Sequence, residues 1–343
     1  MNILIVKLGA LGDVIRTSYI LPGLRRKYGK AVIYWLTAPS SVDLLRYNPH
    51  ISRIITPAEL EGVATSLSFD LVISLDEEVE ILRLLQRLRY AQLIGASLCE
   101  GRPVYTDKGA EWFDMGLISR FGKERADALK RENCREHNEI FADMLGIPIE
   151  TAEFFNASDI EERSARLFPR SSCNIGINSG AGKRWISKQL PVAETVKLIE
   201  RLLAQQVNGK KTKVYLFGGP EEEERHRLIR QSVKSERLMD TGSSNSLLEF
   251  AALIKCCDYI ITSDSLALHL AIAQGAKNLS FYAPTSAAEI GTFGTGLKLI
   301  SLAGDYCSYR PDADNSTITA DRIMALFHSH LALLDDCKGN HQL

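Results

Sequence analysis

Short apolar runs rich in β-branched residues alternate with amphipathic stretches along the whole chain. In the first half the apolar runs cover residues 3–7, 31–36, 71–75 and 92–94. In the second half they cover 174–178, 213–217, 259–262 and 279–282, and helical periodicity predicts helices over 193–206, 222–233, 246–255, 266–274 and 319–335. Continuous apolar strands separated by helices indicate parallel sheets covered on both faces. The pattern therefore predicts an α/β protein with two doubly wound, Rossmann-like domains.

Breaks in this pattern predict the domain boundaries. Between Ile149 and Ser172 the periodicity is interrupted by prolines and a polar string. We predict a first domain over residues 1–160, a second over 161–318, and a C-terminal helix and tail over 319–343, with the helix packing back on the first domain. A chain of 343 residues can form two cores, because about three quarters of the unfolded surface is buried at this size.

Composition and charge exclude several classes of protein. Hydrophobic residues make up 45% and charged residues 24% of the chain, as in globular proteins, so a disordered or collagen-like chain is excluded. The net charge of -1 provides no overall positive field, so nucleic acid is not an expected partner. No apolar run is long enough to cross a bilayer or to form a secretory signal, and a cytoplasmic location is expected. The seven cysteines lack CxxC spacing and predict neither a zinc site nor a disulfide framework.

Four glycine-containing or acidic segments follow directly after predicted strands. They are 9–13 (GALGD), 179–185 (SGAGKRW), 218–222 (GGPEE) and 263–265 (SDS), with His269 further along the last helix. Ligands of open parallel sheets bind beyond the carboxyl ends of the strands, because helix N-termini and variable loops meet there. The four segments therefore predict one site, in a cleft between the two domains.

Segment 179–185 is suited to binding an anion. Its glycines allow close approach of the backbone to an oxyanion. Lys183 and Lys188 lie in a stretch, residues 171–193, that contains no acid. This combination predicts a local diphosphate site, and the alternative is a glycine turn with solvated lysines. A Walker A loop is excluded, because its first glycine would fall at Ile177 and an arginine follows Lys183.

Asp13 has two interpretations. Aspartate is a good N-cap for the helix that begins near Val14. Alternatively, Asp13 is a general base that faces the second domain, although a helix terminus favours the ionised carboxylate and so weakens the base. That weakness is tolerable for an oxocarbenium-like transition state, because the proton of the attacking hydroxyl then leaves late. A dinucleotide site is not indicated, since segment 9–13 lacks GxGxxG.

The other candidate side chains also have two interpretations each. The acids of 221–224 suit the helix macrodipole, while one of them could accept ribose hydroxyls. Asp264 and Ser265 either cap a helix or belong to a phosphate site, and His269 is either a core imidazole or a donor to an oxyanion. Motifs of serine hydrolases, zincins and zinc deaminases do not occur. The DxD at 312–314 lies in a Pro/Asn/Ser loop, and no metal is expected.

Taken together, these segments resemble the heptosyltransferase family, glycosyltransferase family 9, from residue 1 to about residue 326. The segments that carry the resemblance are 3–14, 178–185, 217–224, 264–269 and 281–285. The resemblance implies a GT-B fold with the acceptor on the first domain and the nucleotide-sugar on the second. It further implies inverting transfer of a sugar, heptose from ADP-heptose in the first instance, onto lipopolysaccharide core or a related glycoconjugate, without a metal or other cofactor.

The resemblance also implies roles for individual residues. Asp13 would be the catalytic base, Lys183 would contact phosphate and Glu222 would contact ribose. The full set of donor-binding residues would be Ser179, Gly180, Gly182, Lys183, Glu222, Asp264, Ser265 and His269. Leu266 stands where the family commonly has glycine, which leaves the donor sugar open.

The sequence carries weaker signals for the acceptor-binding residues than for the donor-binding residues. Arg120, Arg135 and His137 lie in or beside a basic stretch and are the candidate acceptor-binding residues. A second basic helix, 82–89, mixes arginines with leucines. These stretches either form solvated helix faces or attract a charged glycolipid. In the second case the protein would make peripheral contact with the inner membrane leaflet. A protein or small-molecule acceptor, a nucleotide-sugar epimerase and a non-catalytic nucleotide-sugar-binding module are the remaining alternatives.

Overall fold

A computed structural model describes residues 1–63, 67–116, 120–182 and 185–339 of the chain. The chain divides into two compact units. Unit 1 consists of Met1–Asn156 with Ala288–Gly291, and unit 2 consists of Ala157–Ala287 with Thr292–Leu343. The second half of the chain therefore contributes four residues to the first unit, which the periodicity of the sequence did not predict.

The sheet of unit 1 is parallel except at one edge. Its strands are β1 (Asn2–Val6), β2 (Val32–Leu36), β3 (Arg53–Ile55), β4 (Ser68–Ser74), β5 (Arg89–Cys99) and β6 (Arg102–Tyr105). They lie in the order β3-β2-β1-β4-β5-β6, and only the β5–β6 pair is antiparallel among the described pairs.

Helices cover both faces of this sheet. They are α1 (Leu11–Ser18), α2 (Leu21–Tyr28), α3 (Val42–Leu45), α4 (Pro57–Val63), α5 (Val79–Leu85), α6 (Asp107–Phe113), α7 (Lys123–Glu132) and α8 (His137–Leu145). Ile3 and Ile5 of β1 belong to one buried apolar cluster, whereas Leu4 belongs to another. Because alternate side chains of a strand point to opposite faces, residues 3–6 of β1 must all be apolar.

Unit 2 repeats this architecture. Its strands are β7 (Cys173–Asn178), β8 (Gln206–Val207), β9 (Lys210–Phe217), β10 (Leu238–Asp240), β11 (Tyr259–Ser263), β12 (Asn278–Tyr282) and β13 (Gly296–Ile300). The main path is β10-β9-β7-β11-β12-β13, all parallel, and β8 pairs with β9 in antiparallel fashion. The prediction of two doubly wound α/β units is confirmed.

The helices of unit 2 include the one at the C-terminus. They are α9 (Ser158–Ala165), α10 (Val192–Leu203), α11 (Glu223–Ser232), α12 (Leu247–Lys255), α13 (Leu266–Ala273) and α14 (Ala320–Gly339). The prediction that the last helix packs back on the first domain was wrong. Ile323, Met324 and Phe327 of α14 join the core of unit 2, and the Phe327 ring packs edge-on against Tyr259. The apolar face of α14 is therefore buried on the sheet of its own unit.

The strand order of each sheet places a switch point next to the predicted site segments. The order reverses between β1 and β4 in unit 1, and between β7 and β11 in unit 2. Loops at the carboxyl ends of such strand pairs are the usual ligand sites of open parallel sheets. Segment 9–13 follows β1, segment 179–185 follows β7 and Asp264 follows β11. Each sheet therefore presents predicted site residues at its own switch point.

The leucines among residues 82–89 are buried, and membrane contact by this basic helix stays a prediction. Leu82, Leu84, Leu85 and Leu88 are each at most 7% exposed and pack in the core of unit 1. Across the described ranges, no helix combines the length and the hydropathy that a bilayer span requires.

Candidate functional site

In unit 1, Asp13 lies in the first turn of α1, directly beyond the end of β1. Helix α1 has Ala10 as its N-cap, so the capping interpretation of Asp13 was wrong. Its carboxylate Oδ1 accepts a hydrogen bond from Nη2 of Arg16 at 2.9 Å. The Asp13 side chain is 40% exposed, whereas that of Arg16 is 13% exposed. Asp13 is therefore a fixed carboxylate that a substrate can reach.

Arg16 is held by groups that no pattern in the sequence indicates. Its guanidinium lies 5.3 Å from the ring centroid of Trp112, and its Nη1 is 3.8 Å from Oε2 of Glu289. Glu289 belongs to the segment 288–291, and its carbonyl oxygen accepts the N–H of His137 at 2.9 Å. A long-range segment thus orients the partner of Asp13.

A second ionisable cluster lies beyond β4, the neighbour of β1. Nζ of Lys7 is 2.7 Å from Oδ1 of Asp76, and the hydroxyl of Tyr105 donates to Oε1 of Glu77 at 2.5 Å. Burial raises the pKa of Glu77, and the hydrogen bond from Tyr105 offsets this only in part. We missed Asp76 and Glu77 in the sequence, although the strand-end rule applied to 71–75 points directly at them.

The predicted acceptor residues have different environments. Arg120 forms a two-pronged ion pair with Asp114, at 2.8 and 2.9 Å. Nη1 of Arg135 donates to both carboxylate oxygens of Glu111, at 2.8 and 2.9 Å, and its Nη2 donates to Asp143. His137, in contrast, is only 3% exposed, and its ring packs against aromatic neighbours in the core. An acceptor role stays a prediction for the two arginines, while the side chain of His137 packs as a core residue.

A cavity of about 410 Å³ lies beside these arginines in unit 1. It is lined by residues of α6, α7 and their flanks: Glu111, Asp114, Met115, Phe121, Arg125, Leu129, Glu132 and Asn133. The lining includes the carboxylate partners of both Arg120 and Arg135. The cavity combines paired charges with apolar surface, which suits a polar organic molecule such as a sugar.

In unit 2, a buried glutamate joins the loops that follow β7 and β9. Oε1 of Glu222 accepts the N–H of Gly182 at 3.1 Å, and Oε2 accepts the N–H of Gly219 at 2.8 Å. Glu222 is 6% exposed. A Cβ atom on Gly180 would lie 2.1 Å from Cγ of Glu222. Glu222 thus has a structural role that the sequence did not indicate, while its contact with ribose stays a prediction.

The polar side chains at the ends of β7 and β11 bond to one another. Nδ2 of Asn178 donates to the carbonyl oxygen of Gly180 at 2.8 Å and to Oγ of Ser265 at 3.2 Å. Ser265 is the N-cap residue of α13, but its hydroxyl bonds to Oγ1 of Thr262 at 3.0 Å instead of to the helix. These contacts bring the glycine loop and the segment 263–265 together, as the strand-end rule predicts.

Asp264 lies in an ion pair that the sequence did not predict. Nζ of Lys188 donates to Oδ2 of Asp264 at 2.8 Å and to its carbonyl oxygen at 2.9 Å. Nε2 of His269 is 3.5 Å from Oδ1 of Asp264. Burial alone would raise the pKa of Asp264, but Lys188 and His269 outweigh it and hold this pKa well below its ordinary range. Lys188, which we took for a phosphate ligand, is therefore engaged with Asp264.

Other predicted residues fall outside this network or outside the described chain. Lys183 and Arg184 are not among the described residues. In the DxD segment, Oδ2 of Asp312 accepts from Nη2 of Arg310 at 2.8 Å, and Oδ1 of Asp314 accepts the N–H of Ser316 at 2.8 Å. Both aspartates thus bond within their own loop.

Replacing Lys188 with glutamine is expected to lower Tm, because Asp264 would keep a buried charge without its cation, at a cost of about 3 kcal/mol. A carboxylate with a lowered pKa stabilises the fold above its ordinary pKa of 3.8, and this stabilisation is lost as the pH falls further. The difference in Tm from wild type should therefore be full at neutral pH and should shrink in acid.

Thermal unfolding between pH 3 and pH 8 measures this difference. Lys197→Gln is the matched control, because Lys197 is 58% exposed and pairs with Glu194 on the surface of the same unit. If the Tm difference between Lys188→Gln and wild type were equally large at every pH, loss of the ion pair would not be its cause.

Comparison with known proteins identifies a matching family model and solved structures with a similar fold. Residues 106–316 match the model of glycosyltransferase family 9 (heptosyltransferase). The fold is similar to a family 9 glycosyltransferase of Veillonella parvula, with a TM-score of 0.76, 17% identity and coverage of 96% of this chain and 97% of that chain. No curated protein sequence matches the chain.

Two Escherichia coli structures show the same fold. One is ADP-heptose lipopolysaccharide heptosyltransferase II, with a TM-score of 0.71, 15% identity and coverage of 98% of this chain and 100% of that chain. The other is heptosyltransferase WaaC with ADP-2-deoxy-2-fluoro heptose, with a TM-score of 0.63, 16% identity and coverage of 96% and 100%. The GT-B fold implied by the sequence resemblance is confirmed.

Proposed function

Because this chain belongs to glycosyltransferase family 9 and is therefore a glycosyltransferase, we propose that it transfers heptose from ADP-heptose to an acceptor hydroxyl. The proposed transfer inverts the anomeric carbon and needs no metal ion. Support for the donor comes from the solved relatives, one described as an ADP-heptose lipopolysaccharide heptosyltransferase and another bound to ADP-2-deoxy-2-fluoro heptose. The proposed acceptor is the core of lipopolysaccharide or a related glycoconjugate at the cytoplasmic face of the membrane.

The proposal depends above all on the Asp13 carboxylate, which is 40% exposed at the switch point of unit 1 and held by Arg16. In the proposed reaction the acceptor oxygen attacks the anomeric carbon while the bond from that carbon to the diphosphate breaks. The acceptor proton passes to Asp13, and ADP leaves with the bonding electrons. A base that mainly orients the hydroxyl suits this reaction, because the transition state develops positive charge on the sugar.

Unit 2 carries the groups that we propose for the donor. Amides of the Ser179–Gly182 loop and the ammonium of Lys183 would offset the charge that develops on the departing diphosphate. Glu222 would accept ribose hydroxyls, and Asp264 with His269 would form the wall next to the sugar. Glu222 and Asp264 are supported by their place at the strand ends of unit 2, where a nucleotide is the usual ligand of this type of sheet.

Release of ADP tests the proposed function directly. Purified protein is incubated with ADP-heptose and a panel of acceptors: deacylated lipopolysaccharide core, a peptide panel and free sugars. We expect ADP release only when an acceptor is present, and NMR of the product should show an inverted anomeric configuration. Activity should persist in EDTA. Turnover with GDP-, UDP- or dTDP-linked sugars but not with ADP-heptose would overturn the donor, and isomerisation of the donor alone would indicate an epimerase.

A further inference from the structure

In unit 2, the side chains of a serine, a histidine and an aspartate form a chain of hydrogen bonds beside the glycine loop. Nε2 of His226 is 3.1 Å from Oγ of Ser179, and its Nδ1 is 3.0 Å from Oδ1 of Asp240. Ser179 begins the loop after β7, His226 lies on α11 and Asp240 ends β10. No sequence motif indicates this arrangement, because Ser179 and Asp240 lie 47 and 14 positions from His226.

This order of residues is also that of a nucleophilic triad, but burial excludes that role. A nucleophile must meet its substrate. Ser179 is 2% exposed and His226 is 1% exposed. The hydroxyl of Ser179 therefore faces the interior. Its hydrogen bond to His226 holds Ser179, the first residue of the loop, in place.

The backbone of the Ser179–Gly182 loop is fixed at several points. The N–H of Ser179 donates to the carbonyl oxygen at the end of β9 at 3.2 Å, and the N–H of Gly182 donates to Glu222 at 3.1 Å. Between them, the carbonyl oxygen of Gly180 accepts from the buried amide of Asn178 at 2.8 Å. A trans peptide directs its C=O and N–H to opposite sides, so the N–H of Ala181 points away from Asn178.

We propose that His226, oriented by Asp240, is a positioning residue that fixes Ser179 so that the Ala181 N–H is presented to the donor diphosphate. This inference rests on the proposed function, because it takes the Ser179–Gly182 loop as the phosphate site. Its physical basis is preorganisation. An amide that is already held in place contributes to binding without the entropy cost of ordering a glycine-rich loop.

Two substitutions of His226 separate the contact of Nδ1 with Asp240 from the contacts of Nε2, which lies 3.1 Å from Oγ of Ser179 and 3.2 Å from the carbonyl oxygen of Phe217. The amide nitrogen of glutamine reaches the position of Nε2, so His226→Gln keeps the bond to Ser179. Asparagine reaches only the position of Nδ1, so His226→Asn keeps the bond to Asp240 and loses the contacts with Ser179 and with the carbonyl oxygen of Phe217. We expect His226→Asn and Ser179→Ala each to raise the Kd for ADP and for inorganic pyrophosphate about five- to tenfold. For His226→Asn, the value of kcat at saturating donor should stay within about twofold of wild type, so that the loss appears in binding.

The double variant and a matched control complete the test. Ser179→Ala combined with His226→Asn should bind no more weakly than His226→Asn alone, since both substitutions remove the hydrogen bond between Ser179 and His226. His226→Gln should bind within about twofold of wild type. The control is His330→Gln, because His330 is 4% exposed and bonds to the Tyr259 hydroxyl at 2.6 Å elsewhere in the same unit. It should lower Tm and leave both Kd values unchanged.

The outcomes distinguish this inference from the proposed function. If His226→Asn lowers Tm as the control does but binds pyrophosphate like wild type, His226 is merely structural and the inference is wrong. If wild type binds pyrophosphate but not ADP, the ADP donor is wrong, and the pyrophosphate values still decide the role of His226. If wild type binds neither probe, the loop is not a phosphate site and both proposals fall.

Discussion

Replacing Asp13 with asparagine is expected to lower kcat about a thousandfold while leaving the Kd for ADP within about twofold of wild type. Asparagine has the shape of aspartate and can still accept a hydrogen bond from Arg16, but it cannot take up the acceptor proton. Donor binding should persist, because the proposed donor groups all belong to unit 2. Initial rates of ADP release and calorimetric titration with ADP measure the two quantities.

The chain offers a close control for this substitution. Asp43 and Arg46 form an ion pair at 2.6 Å with the same spacing of three residues, and Asp43 is 42% exposed. Asp43→Asn removes the same charge from the same unit, and we expect it to keep wild-type kcat. If Asp13→Asn retained more than about a tenth of wild-type kcat with normal stability, Asp13 would not be the base.

The second large effect is expected for Gly180→Ala, which should weaken ADP binding about thirtyfold, or about 2 kcal/mol. The new Cβ would lie 2.1 Å from Cγ and 2.2 Å from Oε1 of Glu222, which is a severe overlap. Glu222 can move aside only by giving up its hydrogen bonds to Gly182 and Gly219, and these bonds hold two loops of the proposed donor site.

A double-mutant cycle shows whether Glu222 is the reason for this effect. In a Glu222→Ala background the overlap is absent, so adding Gly180→Ala should change the Kd for ADP by less than about threefold. Gly304→Ala is the control, because a Cβ at Gly304 of the same unit meets no atom within 4 Å. Full additivity of the two substitutions would contradict the coupling between Gly180 and Glu222.

The central strands were predictable because burial on both faces demands an unbroken apolar run. The run at 174–178 lies within β7, Cys173–Asn178, and the run at 259–262 lies within β11, Tyr259–Ser263. The strands that we missed are mostly short or at an edge. Strand β6 (RPVY) has no fully buried residue, and β13 (GLKLI) has one. An edge strand can be stabilised by backbone pairing on one side. Its side chains then need not form a hydrophobic pattern that the sequence would reveal.

The segments of the candidate site could be predicted from the sequence, whereas the contacts between their side chains could not. The strand-end rule found Asp13 and the glycine loop, because topology alone brings strand ends together. It could not pair Lys188 with Asp264, which are 76 positions apart, or foresee that Glu222 binds backbone amides of two loops. Such contacts depend on side-chain packing, which no periodicity in the sequence encodes.

The segment 288–291 limits how the enzyme can be divided by engineering. A fragment that stops at Asn156 lacks Glu289, and with it the anion beside Arg16 and the carbonyl that accepts the N–H of His137. For the same reason, a chimera joined once near residue 156 would import a foreign residue at the position of Glu289. Exchange of unit 1 between relatives therefore calls for two junction regions, with residues 288–291 transplanted together with the N-terminal half.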